Sequence, residues 1–132
     1  MCAEYVRDIM HAGIVSCTPQ LSIKEAARLM MKANVRALVV MVSGCGLTGI
    51  VSTTDLVNAA LESNDGDKKA STVGDVMTTS VLTVTPDAPV SEAAKLMIDR
   101  GVHRLVVVEN AENCLPIGIL SMGDIVRSLS ED

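Results

Sequence analysis

Gly49-Ile50-Val51-Ser52-Thr53-Thr54-Asp55 and Gly118-Ile119-Leu120-Ser121-Met122-Gly123-Asp124 read alike: an apolar strand ends on a serine, and a helix opens with an aspartate three residues later. Residues of these types at this spacing can hold a nucleotide. The unpaired N–H groups and the dipole of a helix N-terminus favour a phosphate. The serine hydroxyl adds a donor, and the carboxylate can accept both hydroxyls of a ribose, a role carboxylates take in dinucleotide folds. The same Ser-x-x-Asp spacing also makes a capping box that only closes the helix end. Spacing alone leaves both readings open.

A second feature tips the balance toward a ligand. His103-Arg104 stands at the entrance of the β-branched run before the second motif, where a paired imidazole and guanidinium suit phosphate oxygens. Before the first motif the corresponding pair is Arg36-Ala37, with one cation in place of two. Two unequal sites are expected, the one at Ser121 and Asp124 taking the more highly charged ligand.

The motif occurs twice because the chain does. Val6-Arg7-Asp8-Ile9-Met10 returns as Val73-Gly74-Asp75-Val76-Met77, and Glu25-Ala26-Ala27-Arg28-Leu29-Met30 returns as Glu92-Ala93-Ala94-Lys95-Leu96-Met97, always 67 positions on. Segments 6–40 and 73–107 share 14 identities in 35 positions, against roughly 6% for unrelated segments of average composition. The two Ser-x-x-Asp motifs follow at an offset of 69. Such a duplication decides the fold reading before any local pattern does.

Each copy must position its motif with the same elements. A short extended run (14–18, then 81–85) ends at Pro19 or Pro86. A helix follows, opened by a Ser22/Glu25 capping box in the first copy and by Ser91 with the acidic Glu92 in the second. Ile23, Ala26, Ala27 and Met30, like Val90, Ala93, Ala94 and Met97, form its apolar stripe. Leu29 and Met31, with Leu96 and Ile98, widen that stripe. Asn34 and Gly101 suit left-handed helix ends. Hairpins over 37–51 and 104–120 then lead into second helices near Thr53 and Met122. The expectation is an α/β (α+β) fold of two β-α-β-β-α repeats, at 6–61 and 73–129, joined by a polar linker over 62–72.

Composition narrows the function. The chain has 132 residues, a net charge of −5 and one aromatic residue, Tyr5. An acidic chain without stacking rings does not suit nucleic acid or an anionic membrane surface. With no long apolar run and no signal-peptide pattern, a cytoplasmic location is expected. Cys2, Cys17, Cys45 and Cys114 lack metal-site spacing, although Cys45 and Cys114 occupy equivalent loops. The histidines are His11 and His103 alone, and no nucleophile elbow, P-loop or H-E-x-x-H is present. No catalysis and no metal are expected.

Together the D-x-M opening, the Glu-Ala-Ala helix, the Val-x-x-Leu-Val-Val strand and the Gly-h-h-Ser-x-x-Asp ending (h, hydrophobic) resemble a tandem pair of cystathionine beta-synthase (CBS) domains, a Bateman module, over residues 6–129. The resemblance implies two clefts related by pseudo-twofold symmetry and an adenosine ligand: AMP, ADP, ATP or S-adenosylmethionine. It implies one cleft of His103, Arg104, Ser121 and Asp124 completed by Val15, Val35 and Arg36. The other would join Ser52, Asp55 and Arg36 to Leu82, Val102 and His103. A stand-alone, non-catalytic sensor acting on a regulated protein partner is expected, and the widened apolar faces at Leu29, Met31, Leu96 and Ile98 point to a homodimer. A dimerisation module with inactive clefts is the competing reading.

Overall fold

Proline, glycine and polar turns cut the apolar runs into seven strands and six helices among the residues that the computed structural model describes: 4–43, 46–64, 72–112 and 115–131. In chain order these are α1 (Val6–Ile9), β1 (His11–Ala12), β2 (Ser16–Cys17), α2 (Ile23–Ala33), β3 (Ala37–Val42), β4 (Gly46–Ser52) and α3 (Thr53–Asn64). There follow α4 (Val73–Val76), β5 (Thr83–Val84), α5 (Val90–Arg100), β6 (Arg104–Val108), β7 (Pro116–Ser121) and α6 (Met122–Ser130). Both copies show the expected β-α-β-β-α order. Cys45, Cys114 and most of the expected linker lie outside the described residues.

The chain forms two compact units, and they are cut differently from the repeats. One is continuous, Val15–Val81; the other is split, joining the segment up to Ile14 to everything from Leu82. In the continuous unit β2 pairs parallel with β3, and β3 pairs antiparallel with β4, Leu38 facing Val51. Ala26, Met30, Leu38, Val40, Val51, Leu56 and Val73 fill its core. The split unit has the sheet order β1-β7-β6-β5. Its core is Val6, Val90, Ala93, Met97, Leu105, Val107, Leu120 and Ile125.

The D-x-M openings explain the different cut. Val6 and Arg7 donate their N–H groups to Ala88 and Pro86, at 2.9 Å each. Val73 and Gly74 donate to Leu21 and Pro19, at 2.8 and 2.9 Å. Each opening helix therefore docks on the Thr-Pro loop of the opposite repeat and places its valine, fully buried, in that repeat's core. Asp8 and Asp75 accept the N–H of Tyr5 and Thr72 at 3.0 and 3.1 Å, closing these short helices. The aspartate of D-x-M is a cap.

Local details follow the sequence with three exceptions. Ser22 and Glu25 form the reciprocal box at 3.1 Å in both directions, and Asn34 (φ 56°) and Gly101 (φ 65°) end α2 and α5 in the left-handed region. Ser91, however, does not cap α5. That helix starts at Val90, whose N–H is taken by the Glu4 carbonyl at 3.0 Å, so the opening segment does what a serine would. The first runs of each copy shrink to two-residue strands, because only Ser16–Cys17 and Thr83–Val84 find ladder partners. Leu29 and Leu96 pack partly buried on their cores, whereas Met31 and Ile98 stay 82% and 69% exposed.

Candidate functional site

Both Ser-x-x-Asp motifs sit where the pattern requires, at a strand end that turns directly into a helix. Ser52 is the last residue of β4 and Thr53 the first of α3; Ser121 ends β7 and Met122 opens α6. The preceding hairpin strand holds each corner. Arg104 lies across from Ser121 and Ala37 across from Ser52. The carbonyls of His103 and Arg36 accept the first N–H of each helix, at 2.8 Å from Met122 and 3.0 Å from Thr53. His103 and Arg104 therefore stand at one corner with Ser121 and Asp124, and Arg36 at the other with Ser52 and Asp55. No hydrogen bond or ion pair from a His103, Arg104 or Arg36 side chain is present among the described residues.

The apolar residues divide likewise. Val15 and Val35 pack partly buried on the core of the continuous unit, and Leu82 and Val102 on that of the split unit. Val15 and Leu82 accept the N–H of Val39 and Val106 at 3.0 and 3.1 Å. Each set of residues expected to share a cleft is thus drawn from both units.

The two carboxylates have different surroundings. Asp55, partly buried, accepts the Ser52 N–H at 2.7 Å and the Ser52 hydroxyl at 3.0 Å on Oδ2. Its own N–H donates to Ser52 Oγ at 3.3 Å. Nothing among the described residues donates to its Oδ1. Asp124 is only 2% exposed and accepts the Ser121 N–H on Oδ2 at 2.8 Å. Its Oδ1 meets two side chains: Arg127 Nη2 at 3.2 Å and His11 Nδ1 at 3.1 Å.

Sequence reasoning missed His11 and Arg127. The repeat holds Thr78 where the other copy has His11, and Asn58 where it has Arg127. That difference was available as a signal. What hid it was distance along the chain, since His11 reaches Asp124 only because β1 pairs with β7, His11 opposite Ile119. In the continuous unit Thr78 makes the same backbone pairing with Ile50, at 3.0 and 2.9 Å, with a hydroxyl where His11 has an imidazole.

Among the described residues no group of three or more His, Cys, Asp or Glu could hold a metal ion. No helix among them is long and apolar enough to cross a membrane.

Comparison with known proteins agrees with this geometry. The family model of the CBS domain matches twice, at residues 6–62 and 73–131. The CBS domain-containing protein YhcV of Bacillus subtilis is 31% identical over 129 residues, covering 96% of this chain and 87% of YhcV. The chain is also 31% identical over 127 residues to homoserine O-acetyltransferase of Methanohalobium evestigatum; the match takes in 96% of the chain but spans 24% of that enzyme's length. Among solved structures, the CBS domain pair of protein MJ0100 in complex with 5-methylthioadenosine and S-adenosyl-L-methionine superposes with a TM-score of 0.84, at 26% identity and covering 96% of each chain. CBSX2 in complex with AMP gives 0.78, at 30% identity and covering 98% of each.

Proposed function

The chain belongs to the CBS domain family, and from that premise we propose that it binds an adenosine nucleotide (AMP, ADP or ATP) without turning it over, as a sensor of energy state or metabolite level. The observation that carries the reading is the corner at Asp55. A carboxylate oxygen without a partner among the described residues stands beside a serine hydroxyl at the N-terminus of the twelve-residue helix α3. Ribose hydroxyls are donors of the kind Oδ1 lacks, and the helix end favours the phosphate. Likeness to structures holding AMP and S-adenosyl-L-methionine supports an adenosine ligand. S-adenosylmethionine is the alternative within that class, bringing a carboxylate to the helix end where AMP would bring a phosphate.

The proposed roles follow the sequence. Ser52, Asp55, Ser121 and Asp124 hold ribose, Arg36, His103 and Arg104 face phosphate, and Val15, Val35, Leu82 and Val102 offer aliphatic surface to adenine. Output then passes through a protein partner or a change in a homodimer. The dimer reading rests on exposed apolar residues of the packed helix pairs: Met31, Val57 and Leu61 on α2 and α3, Ile98, Val126 and Leu129 on α5 and α6. Cytoplasmic residence belongs to the same proposal.

A second reading has its own observation. Both Ser-x-x-Asp boxes are closed as caps, each serine N–H on Oδ2 and each aspartate N–H on the serine hydroxyl. A purely structural module needs no more. Calorimetric titration with AMP, ADP, ATP and S-adenosylmethionine, beside thermal melts, decides between them. A ligand at 100 times its dissociation constant adds about 2.7 kcal/mol. No heat and no shift at several millimolar of any of the four would leave the structural reading, and hydrolysis of the bound nucleotide would overturn the non-catalytic one.

A further inference from the structure

The two corners share a backbone plan and differ in what their carboxylates already hold. Asp124 has both oxygens engaged: Oδ2 by the Ser121 N–H, Oδ1 by Arg127 and His11. It is buried beneath these groups, at 2% exposure, while His11 and Arg127 themselves are 71% and 54% exposed. Arg127 also reaches the Ile9 carbonyl at 3.5 Å. Its guanidinium thus spans α6 and the end of α1, the element from which His11 follows. Asp55 has Thr78 and Asn58 at the corresponding positions and keeps Oδ1 unpartnered among the described residues.

We propose that His11 and Arg127 form an intrachain latch on Asp124, closing that corner to a vicinal diol and leaving Asp55 as the carboxylate that takes ligand first. The inference rests on the reading of these corners as ribose sites and reverses the order that His103 and Arg104 alone suggest. A diol needs the acceptor positions that the two side chains occupy. Entry at Asp124 therefore requires both to swing away, which their exposed side chains can do. A contact from an exposed side chain to a buried carboxylate is worth at least the upper value of an exposed ion pair, so displacing the Arg127 and His11 contacts lowers apparent affinity about fivefold or more. The corner at Asp124 becomes a second site that fills only at higher ligand concentration or once a partner draws the two side chains off. A graded response from one small chain follows.

AMP titrations by calorimetry on the full chain test this, with four proteins beside the wild type. The wild type should show one dominant binding event, lost in Asp55→Ala, whereas Asp124→Ala should remove only a weaker phase. The double variant His11→Ala/Arg127→Ala uncovers the Asp124 carboxylate and should gain a second event, at least about fivefold tighter than any weak phase of the wild type. The converse variant, Thr78→His with Asn58→Arg, should weaken the first event by a similar factor. A double variant whose titration matches the wild type overturns the latch while the ribose reading stands. A double variant that loses binding shows that His11 and Arg127 hold the ligand, and also overturns it. Failure of every protein to bind removes the ribose reading and the latch together.

Discussion

A β-carbon on Gly118 would stand 2.5 Å from the carbonyl oxygen of His11 and 3.3 Å from the sulfur of Met10. The first glycine of the Gly-h-h-Ser-x-x-Asp motif is thus a point of close backbone approach. It lets β1 cross β7, with Ala12 opposite Gly118, and so delivers His11 to Asp124. Gly49 makes the same approach to Thr78, where the distance would be 2.8 Å.

Gly118→Ala should therefore destabilise the chain by about 1–3 kcal/mol, the usual range for forcing a methyl into a filled site. The obstacle is backbone, which cannot rotate aside. Denaturant titration measures it. A loss under about 0.5 kcal/mol would mean that β1 yields at no cost and that Gly118 has another role.

Val6 and Val73 should destabilise opposite repeats. Each is fully buried in the core of the unit that its own repeat does not build, and truncation to alanine removes two methyl groups, about 2 kcal/mol. Hydrogen exchange should quicken first in α5 and β6 for Val6→Ala, and in α2 and β3 for Val73→Ala. The reverse assignment would contradict the exchanged openings.

Acid should loosen α2. The Ser22 backbone N–H, and next the Ser22 hydroxyl, hold the Glu25 carboxyl below its ordinary range. A depressed folded-state value means that the stabilisation is present above the unfolded value and is lost as pH falls through the folded one. Glu25→Gln should flatten the acid side of the stability curve between those values by removing the neutral-pH contribution, a small loss as fits an exposed group. An unaltered acid limb would show that the box does not couple to folding.

Sedimentation should give about twice the chain mass of 13.9 kDa, since Met31 and Val57 on one helix pair and Ile98 and Val126 on the other stay exposed, and exposed apolar helix faces mark interaction sites. Met31→Glu with Ile98→Glu should yield a monomer that keeps its melting cooperativity. A wild type that runs as a monomer at micromolar concentration would remove the dimer.

Local chemistry was legible in the sequence because it depends on near neighbours. The Ser22/Glu25 box, the left-handed Asn34 and Gly101, the strand Ala37–Val42 and the helix starts at Thr53 and Met122 all involve residues a few positions apart, where propensity and hydrogen bonding act directly. The repeat showed that whatever one copy builds the other builds too. Two matters were decided only by tertiary structure. The opening helices belong to the opposite repeat, because the carbonyls of Pro19, Leu21, Pro86 and Ala88 and the cavities filled by Val6 and Val73 are presented by chain some 50 to 80 residues away. The state of Asp124 was decided the same way. Its spacing from Ser121 announced a carboxylate at a helix end, but its burial and its pairing with His11 arise from a strand crossing that no local pattern encodes.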